Sequence, residues 1–247
     1  MISIITVVKD AEKDLHRTIK SVDNFYDIIS EHLIIYKKSK DNTLNVIKDN
    51  LNDKRVYTEQ KNNGIYEAMN LGLKNIQFNN FVLFLNAGDV LINKNFLCNL
   101  PSYKKFDIIY GITRSGFWIK DRFHTKRIED FGEYSEKKIN FGNCPSHPSF
   151  IFSRKKFINI FFDCKYKIAS DYHLMIRMLK STNNILYYPE TITLMDNNGY
   201  HSKILNRIKG NFEVLNIRLL LKLPYPYFSL IFRPIIKFME YFKNDKI

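Results

Sequence analysis

The chain has 247 residues and a formal net charge of +13, from 38 lysine and arginine residues against 25 aspartate and glutamate residues. Hydrophobic residues make up 45% and charged residues 26%, a composition that excludes a wholly disordered chain. The length allows one large domain or two small ones. The charge is compatible with a phosphorylated substrate, anionic lipid or nucleic acid as partner, and a lysine-rich composition bias accounts for a large share of it.

Cysteine content and hydropathy indicate a protein on the cytoplasmic side of the membrane. Cys98, Cys144 and Cys164 are widely spaced and form no C-x-x-C pair, so neither a disulfide framework nor a zinc site is expected. The first residues enter a strand pattern without the charged leader of a signal peptide. No stretch reaches the ~18 uninterrupted apolar residues of a membrane-spanning helix.

The first third of the chain alternates strand and helix patterns, which predicts an α/β fold with a parallel sheet and right-handed crossovers. Ligands bind beyond the carboxyl ends of such strands, so the segments that follow the strands are expected along one edge of the sheet. The predicted strands are residues 2–8, 32–36, 55–58 and 81–86, and the predicted edge segments are 6–10, 36–41, 62–64 and 86–89.

The later part of the chain is less regular. Strands are predicted near residues 108–111 and 116–119, followed by a long loop, then a strand at 148–153, a helix at 171–179 and a strand at 185–188. From residue 200 onward the pattern is helical, basic and aromatic. We therefore divide the chain into a domain over residues 1–205 and a helical tail over residues 206–247.

Two aspartates stand where a predicted element begins or ends. Asp89 follows the fourth strand beside Gly88, where a carboxylate can hold Mg²⁺ or Mn²⁺, although an aspartate in an ordinary turn fits as well. Asp171 opens a helix, where the dipole favours the ionised form and a proton can be accepted from an attacking hydroxyl. Simple helix capping explains Asp171 equally well locally.

Two further positions are candidates for binding. His147 lies between Pro145 and Pro148, which fix its direction toward a phosphate or a sugar hydroxyl, whereas a structural histidine bonded to the backbone is the common alternative. Gly64 opens a predicted helix whose free N–H groups suit a phosphate, but Asn62 before it also fits an ordinary turn.

Five segments in order resemble glycosyltransferase family 2, in particular bacterial capsule, O-antigen and exopolysaccharide enzymes of the colanic-acid type. The segments are residues 3–12 (SIITVVKDAE), 62–72 (NNGIYEAMNLG), 84–89 (FLNAGD), 147–150 (HPSF) and 169–172 (ASDY). They are similar to the family's first strand, its G-I-Y-D-A-M-N-x-G signature, a variant of its D-x-D metal motif, its H-Q-x-x-F element and its late acidic motif. Together they span most of the chain.

The resemblance implies a GT-A fold, a mostly parallel sheet flanked by helices, and an inverting transfer from a nucleotide sugar, taken as a UDP-sugar, with Mn²⁺ or Mg²⁺ as cofactor. By this resemblance Asp89 is the metal ligand, Asp171 the catalytic base, and His147 part of the acceptor or phosphate side. The residues assigned to donor binding are Thr6, Val8, Lys37, Asn62, Gly64 and Asn86.

Two departures from the family pattern concern the donor. The second strand of family members ends in an acidic residue that recognises the base, whereas here it ends in Tyr36, Lys37 and Lys38, so the lysines are expected to contact phosphate or the pocket is degenerate. The metal motif keeps only Asp89, with Asn86 at another usually acidic position, as in one subgroup of the family.

The tail interleaves aromatic residues with cations over residues 225–243, which suits either a membrane interface or packing on the protein's own body. A membrane contact agrees with a lipid-linked saccharide acceptor in surface polysaccharide synthesis. The rival hypotheses are a non-catalytic family member that acts as a partner subunit and a basic nucleic-acid-binding protein. Nucleic acid is disfavoured because the basic residues are dispersed and no recognised motif is present.

Overall fold

The computed structural model describes residues 1–78, 80–197 and 204–242. Within these residues nine strands form a single mixed sheet in the order β3-β2-β1-β4-β8-β6-β9-β5, with β7 paired to β6. The strands are β1 Ile2–Val8, β2 Ile29–Tyr36, β3 Arg55–Glu59, β4 Phe81–Phe84, β5 Val90–Leu91, β6 Ile108–Ile119, β7 Arg122–Glu129, β8 Phe150–Ser153 and β9 Ile185–Asp196. The helices are α1 Glu12–Asp23, α2 Thr43–Asp49, α3 Ile65–Asn75, α4 Lys94–Asn99, α5 Glu136–Asn140, α6 Ser170–Leu179, α7 Ile204–Leu220 and α8 Phe228–Met239.

The first half of the sheet confirms the predicted α/β architecture. β1 pairs in parallel with β2 and with β4, and β2 pairs in parallel with β3. Every residue of β1 is buried, as expected for a strand covered by helices on both faces. The helices between these strands are α1, α2 and α3, so the chain forms successive β-α-β units whose strands end on the same edge.

The predicted long loop after residue 119 is wrong. The structure has one continuous strand, β6, which also joins the two short strands predicted at 108–111 and 116–119, and an antiparallel hairpin partner, β7. Lys120 makes the turn with a φ of 52°. β7 has no buried residue and pairs only with β6, so its sequence lacks the apolar alternation by which strands are detected.

The predicted strand at 148–153 begins later than expected. Residues His147–Ser149 form a 3₁₀ turn and the strand β8 starts at Phe150. Pro148 is the physical reason, because it has no N–H to donate to a neighbouring strand and its fixed φ suits the first turn of a helix. β8 lies antiparallel between β4 and β6, so the sheet is mixed from this point on.

The tail helix α7 packs into the main core. Val214, Ile217 and Leu223 are buried in the same cluster as α3 and α6. Arg218 is fully buried and donates to the carbonyl oxygens of Ile139 (2.7 Å), Asn140 and Pro224 (2.8 Å) and to the hydroxyl of Tyr172 (3.1 Å).

The division at residue 205 stays a prediction, and the helical pattern predicted for residues 200–203 and 243–247 lies outside the described residues. All three cysteines are free thiols. In the part of the chain that the structure describes, no helix is both long and apolar enough to cross a membrane.

A buried chain of polar side chains crosses the sheet from β1 to β3. The Nε of Arg55 donates to Nδ1 of His32 (2.9 Å), while His32 Nε2 lies 2.9 Å from the hydroxyl of Thr6 and that hydroxyl donates to the carbonyl of Leu85 (2.8 Å). Arg55 also forms an ion pair with Asp23. This order of donors and acceptors requires a neutral His32, and burial, helped by the charge of Arg55, lowers its pKa to about 3.

We predict that this histidine makes the fold acid-sensitive. An unfolded histidine takes up a proton near pH 6.5, whereas folded His32 stays neutral down to about pH 3. The free energy of unfolding should therefore fall as the pH drops, by about 2 kcal/mol between pH 7 and pH 5 from this residue. Urea unfolding of the protein and of His32→Gln at both pH values checks this, and an equal loss in both proteins would contradict it.

Candidate functional site

The carboxyl ends of the first four strands meet at one edge, as the sequence predicts. Backbone hydrogen bonds between neighbouring strands continue to the strand ends. Lys37 N donates to the carbonyl of Val8 (3.0 Å), and Gln60 N donates to the carbonyl of Tyr36 (2.7 Å). Leu85 N donates to the carbonyl of Ile5 (3.0 Å). The predicted segments 36–41 and 86–89 therefore flank the end of β1 on its two sides.

Asp89 lies at this edge in a tight turn after β4. Its N–H donates to the carbonyl of Asn86 (3.0 Å), and its own carbonyl accepts from the hydroxyl of Thr18 on α1 (2.8 Å). The side chain is only 3% exposed, and its Oδ1 accepts from the backbone N–H of Asp196 at the end of β9 (3.2 Å). The turn thus places one carboxylate between α1 and β9.

The carboxylate of Asp89 is buried close to other negative charges. Burial raises its pKa to about 8, and the negative charges of Asp196 and Glu129 contribute in the same direction. Its Oδ2 and the Oδ1 of Asn86 are both buried with no hydrogen-bond partner in the structure. Since buried oxygen atoms are normally paired, these two are available to bind a ligand.

Gly88 permits the close approach of the surrounding elements. Its φ is 102°, a conformation that other residues rarely adopt, and an added Cβ would lie 3.3 Å from the Cβ of Asp196 and 3.6 Å from the Cβ of Asp14. A larger residue would therefore be strained in this backbone conformation and would press against the side chain of Asp196.

The oxygen atoms of Asn86 and Asp89 are suitable ligands for Mg²⁺ or Mn²⁺, which prefer hard oxygen donors. In residues 1–78, 80–197 and 204–242 no group of three or more His, Cys, Asp or Glu side chains is arranged to hold a metal ion.

Lys37 and Asn62, two of the predicted donor-binding residues, lie together at the ends of β2 and β3. The Nζ of Lys37 donates to the carbonyl oxygens of Lys61 (2.7 Å) and Asn62 (3.1 Å). The lysine that stands where family members have an acidic residue thus holds the loop before α3. Its charge stays at the carboxyl edge of the sheet.

Thr6 and Val8 are buried in β1. The hydroxyl of Thr6 is hydrogen-bonded to His32 and to the carbonyl of Leu85. Val8 packs in a small apolar cluster with Ile34 on β2. Neither side chain is free to make a polar contact with a nucleotide. Their assignment to donor binding stays a prediction that the geometry of these side chains does not favour.

Gly64 opens α3 with a φ of 123°, as a glycine at a helix start can. The carboxylate of Glu67 folds back over this helix start, because an added Cβ on Gly64 would lie only 1.8 Å from its Oε2. Glu67 also lies 3.4 Å from the Nζ of Lys167. A carboxylate already occupies the position predicted for a phosphate, and like charges repel, so Gly64 is disfavoured as a phosphate site.

Asp171 lies half-buried in the first turn of α6. Its Oδ1 accepts from the N–H of Tyr172 (2.7 Å) and lies 3.4 Å from the hydroxyl of Tyr66, which also donates to the carbonyl of Ile168 (2.7 Å). Both contacts use the same carboxylate oxygen. The hydrogen bond from Tyr172 therefore holds the carboxylate through Oδ1.

His147 connects the two aspartates through an aromatic stack. Its ring stacks on Phe84, the last residue of β4, at 5.3 Å and meets the edge of Phe162 at 5.9 Å. Phe162 in turn stacks on Tyr66, the neighbour of Asp171. Burial lowers the pKa of His147, with Asp171 acting in the opposite direction, so the imidazole is neutral at physiological pH.

Two glutamates that the sequence analysis missed organise this region. Glu213 on α7 accepts three backbone N–H groups, from Lys167, Ile168 and Ala169, at 2.9, 2.9 and 2.8 Å. Glu129 at the end of β7 accepts from Ser115 and from Ser146, next to His147. Both lie far along the chain from the groups they hold, so no local sequence pattern identifies them.

We predict that Glu213→Ala loosens the segment before Asp171. Three N–H groups lose a charged acceptor, and each such bond stabilises by about 1.5–3 kcal/mol. Amide hydrogen exchange at residues 167–169 should become at least about tenfold faster. Glu136→Ala, which removes an exposed glutamate on α5, is the matched control. Unchanged exchange in the Glu213 variant would show that the segment is held by other contacts.

The family model of Glycosyl transferase family 2 matches residues 3–161. No curated protein matches the chain in sequence. Among solved structures, S. aureus TarS 1-349 in complex with UDP-GlcNAc has a TM-score of 0.67 at 18% identity, over 88% of this chain and 65% of that chain. Glucosyl-3-phosphoglycerate synthase from Mycobacterium tuberculosis, in complex with Mn²⁺, UDP and phosphoglyceric acid, has a TM-score of 0.62 at 12% identity, over 88% and 78%. Mannosyltransferase PcManGT from Pyrobaculum calidifontis, in complex with GDP-Man and Mn²⁺, has 0.59 at 13%, over 92% and 66%.

The chain spans 64% of the length of TarS 1-349 and 40% of the longer TarS structure. At these identities the structural likeness establishes the GT-A fold, with its mixed, mostly parallel sheet and C-terminal helices. The family model covers more than half of the chain, including β1, the Gly64 helix start, the Asp89 turn and His147. The chain belongs to glycosyl transferase family 2.

Proposed function

We propose that the chain is a metal-dependent, inverting glycosyltransferase that moves a sugar from a nucleotide-sugar donor to a hydroxyl group of a saccharide acceptor. The observation that carries this proposal is the buried Asp89 carboxylate, which has an unpartnered oxygen beside that of Asn86 at the carboxyl edge of a family 2 sheet. A divalent cation bound with a diphosphate relieves the cost of burying that charge.

We take the donor to be a UDP-sugar. TarS is described with UDP-GlcNAc and the mycobacterial synthase with UDP and Mn²⁺, whereas the archaeal mannosyltransferase is described with GDP-Man and Mn²⁺. In this chain Lys37, held beside Asn62, stands at the strand end where a nucleotide diphosphate would lie. The positive charge of Lys37 supports a contact with phosphate, where other family members have an acidic residue that contacts the nucleotide base.

We assign roles to the chain's own residues in this reaction. Asn86 and Asp89 would hold the cation, which offsets the charge that develops on the departing diphosphate. Asp171 accepts the proton of the attacking acceptor hydroxyl, while the N–H of Tyr172 holds the carboxylate through Oδ1. Neutral His147 orients that hydroxyl by a hydrogen bond. Attack opposite the leaving group inverts the anomeric configuration.

We propose a lipid-linked saccharide of bacterial surface polysaccharide synthesis, such as capsule or lipopolysaccharide of the colanic-acid type, as the acceptor. Support comes from α8, whose Arg233 lies over the ring of Tyr172 at 4.8 Å, directly beside Asp171. A cation at that place suits the phosphate groups that link such saccharides to a lipid. The protein then works on the cytoplasmic face of the membrane as a peripheral enzyme.

We predict that Asp89→Asn loses metal-dependent donor binding. The thermal midpoint of the wild-type protein should rise by about 5 °C with one of a panel of UDP-, GDP- and dTDP-sugars at saturating concentration, and only with Mn²⁺. The variant should lose the part of the shift that needs Mn²⁺, because an amide cannot balance the charge of the cation. Asp121→Asn in the exposed hairpin turn is the control. A full Mn²⁺-dependent shift in the Asp89 variant would show that Asp89 does not bind the metal. If no donor shifts the midpoint of the wild-type protein, the non-catalytic hypothesis is favoured.

We predict that Asp171→Asn stops transfer but keeps donor binding. Loss of a general base lowers kcat by about 10²- to 10⁴-fold, while the donor contacts at Lys37, Asn86 and Asp89 are untouched. Single-turnover transfer and the donor-induced thermal shift, measured on the same preparation, separate the two effects. Asp27→Asn, an exposed substitution in the turn after α1, should behave as wild type. A normal kcat in the Asp171 variant would exclude this residue as the base.

A further inference from the structure

Helix α8 has its polar face turned toward the protein body. Ser229 is buried, and Arg233 donates to the carbonyl of Gly142 (2.9 Å). Glu240, just after the helix, accepts from Ile128 N through its carbonyl (3.2 Å), and its carboxylate lies 3.4 Å from Nε of Arg127. Because these contacts fix the rotation of the helix about its axis, the face that points outward is fixed as well.

The outward face of α8 is apolar along its whole length. Its large side chains recur every three or four residues, as in an amphipathic helix, and Phe238 and Phe242 are 63% and 69% exposed. The exposed side chains of this stripe are Phe228, Ile231, Phe232, Ile235, Phe238, Met239 and Phe242. Amphipathic helices that pack on a protein core normally bury their apolar face. In α8 the apolar face is exposed instead, and the polar face contacts the protein.

The apolar surface extends beyond α8. Tyr225 and Tyr227 in the connection between α7 and α8 are exposed, as are Leu219 and Leu220 at the end of α7. Phe141 after α5 stacks on Tyr225 (6.4 Å) and meets Phe232 (5.3 Å). We call this continuous surface the apolar face. A patch of this extent is rare on proteins that stay free in water, so another surface is expected to cover it.

The charges around the apolar face are positive. Residues 214–239 contain no aspartate or glutamate, and Lys222 is exposed in the connection that follows α7. Glu240, directly after α8, has its carboxylate 3.4 Å from Nε of Arg127. Two copies of the chain joined through this face would bring like charges together, whereas an anionic lipid surface would meet complementary ones.

We propose that the apolar face docks on an anionic lipid bilayer, with α8 lying in the plane of the interface. A helix of 12 residues is about 18 Å long, which suits a position along the membrane surface and is too short to cross it. Exposed tyrosines and phenylalanines lie at headgroup depth, and the exposed Lys222 contacts lipid phosphate.

Docking in this way brings the acceptor side of the site to the membrane. Arg233 on the inner face of α8 lies over Tyr172, the residue after Asp171. Asp171 is therefore held close beneath the helix that touches lipid. The link to a lipid-linked acceptor rests on the proposed function, whereas the lipid contact itself rests on α8 and its charges alone.

Vesicle co-sedimentation without nucleotide tests the proposal. The wild-type protein should bind vesicles of phosphatidylcholine and phosphatidylglycerol in equal parts, bind pure phosphatidylcholine more weakly, and lose affinity as salt is raised. The double variant Ile235→Gln, Phe238→Gln should bind at least about tenfold more weakly. Lys222→Gln should bind about fivefold more weakly to the anionic vesicles.

The matched control is Val56→Gln, Ile119→Gln, which removes two equally exposed apolar side chains from β3 and the end of β6 and should bind as wild type. Equal vesicle binding by the wild type and the α8 double variant, or none by the wild type, overturns the proposal. A wild-type dimer that the α8 variant converts to a monomer, measured by light scattering, would overturn it in favour of a second copy. Donor-induced thermal shifts on the same variants report the transferase site separately, so lipid binding without any donor shift would reject the proposed function alone.

Discussion

The parallel register of β1, β2 and β4 is the constraint on which the site depends. Parallel strands joined by helices must all end on one edge, and there the chain turns from apolar to polar residues. Lys37 follows β2, and Asn86 and Asp89 follow β4. Groups that lie about 50 residues apart in sequence are thus brought to the two sides of the end of β1.

The second feature is a carboxylate placed where water cannot balance its charge. Asp89 is surrounded by the turn that contains Gly88, by α1 and by the end of β9, and the nearby charges of Asp196 and Glu129 are negative. Without a cation its pKa is raised, so the neutral acid is favoured. A divalent ion bound there would favour the ionised form.

The C-terminal helices serve the other half of the site. The apolar side chains of α7 pack in the core. Its Arg218 donates hydrogen bonds to buried carbonyl groups, and its Glu213 accepts hydrogen bonds from the backbone just before Asp171. α8 contributes Arg233 on its inner face and an apolar outer face. Asp171, Arg233 and the apolar face are therefore parts of one packed unit.

The sequence by itself determined the α/β pattern, the first four strands, the Gly64 helix start and the family motifs at Asp89, His147 and Asp171, because each depends on residues close together in the chain. It did not determine β7, whose residues are not buried and show no apolar period. It also did not determine the hydrogen bond between Thr6 and His32 or the position of the Glu67 carboxylate next to Gly64. The hydrogen bonds from the backbone before Asp171 to Glu213 were likewise not determined. Only the tertiary structure decided these, because a side chain's partner across tens of residues depends on how the elements pack. The same holds for α8, whose amphipathic period is legible in the sequence, while the direction of its apolar face is set by contacts with Arg127 and Gly142.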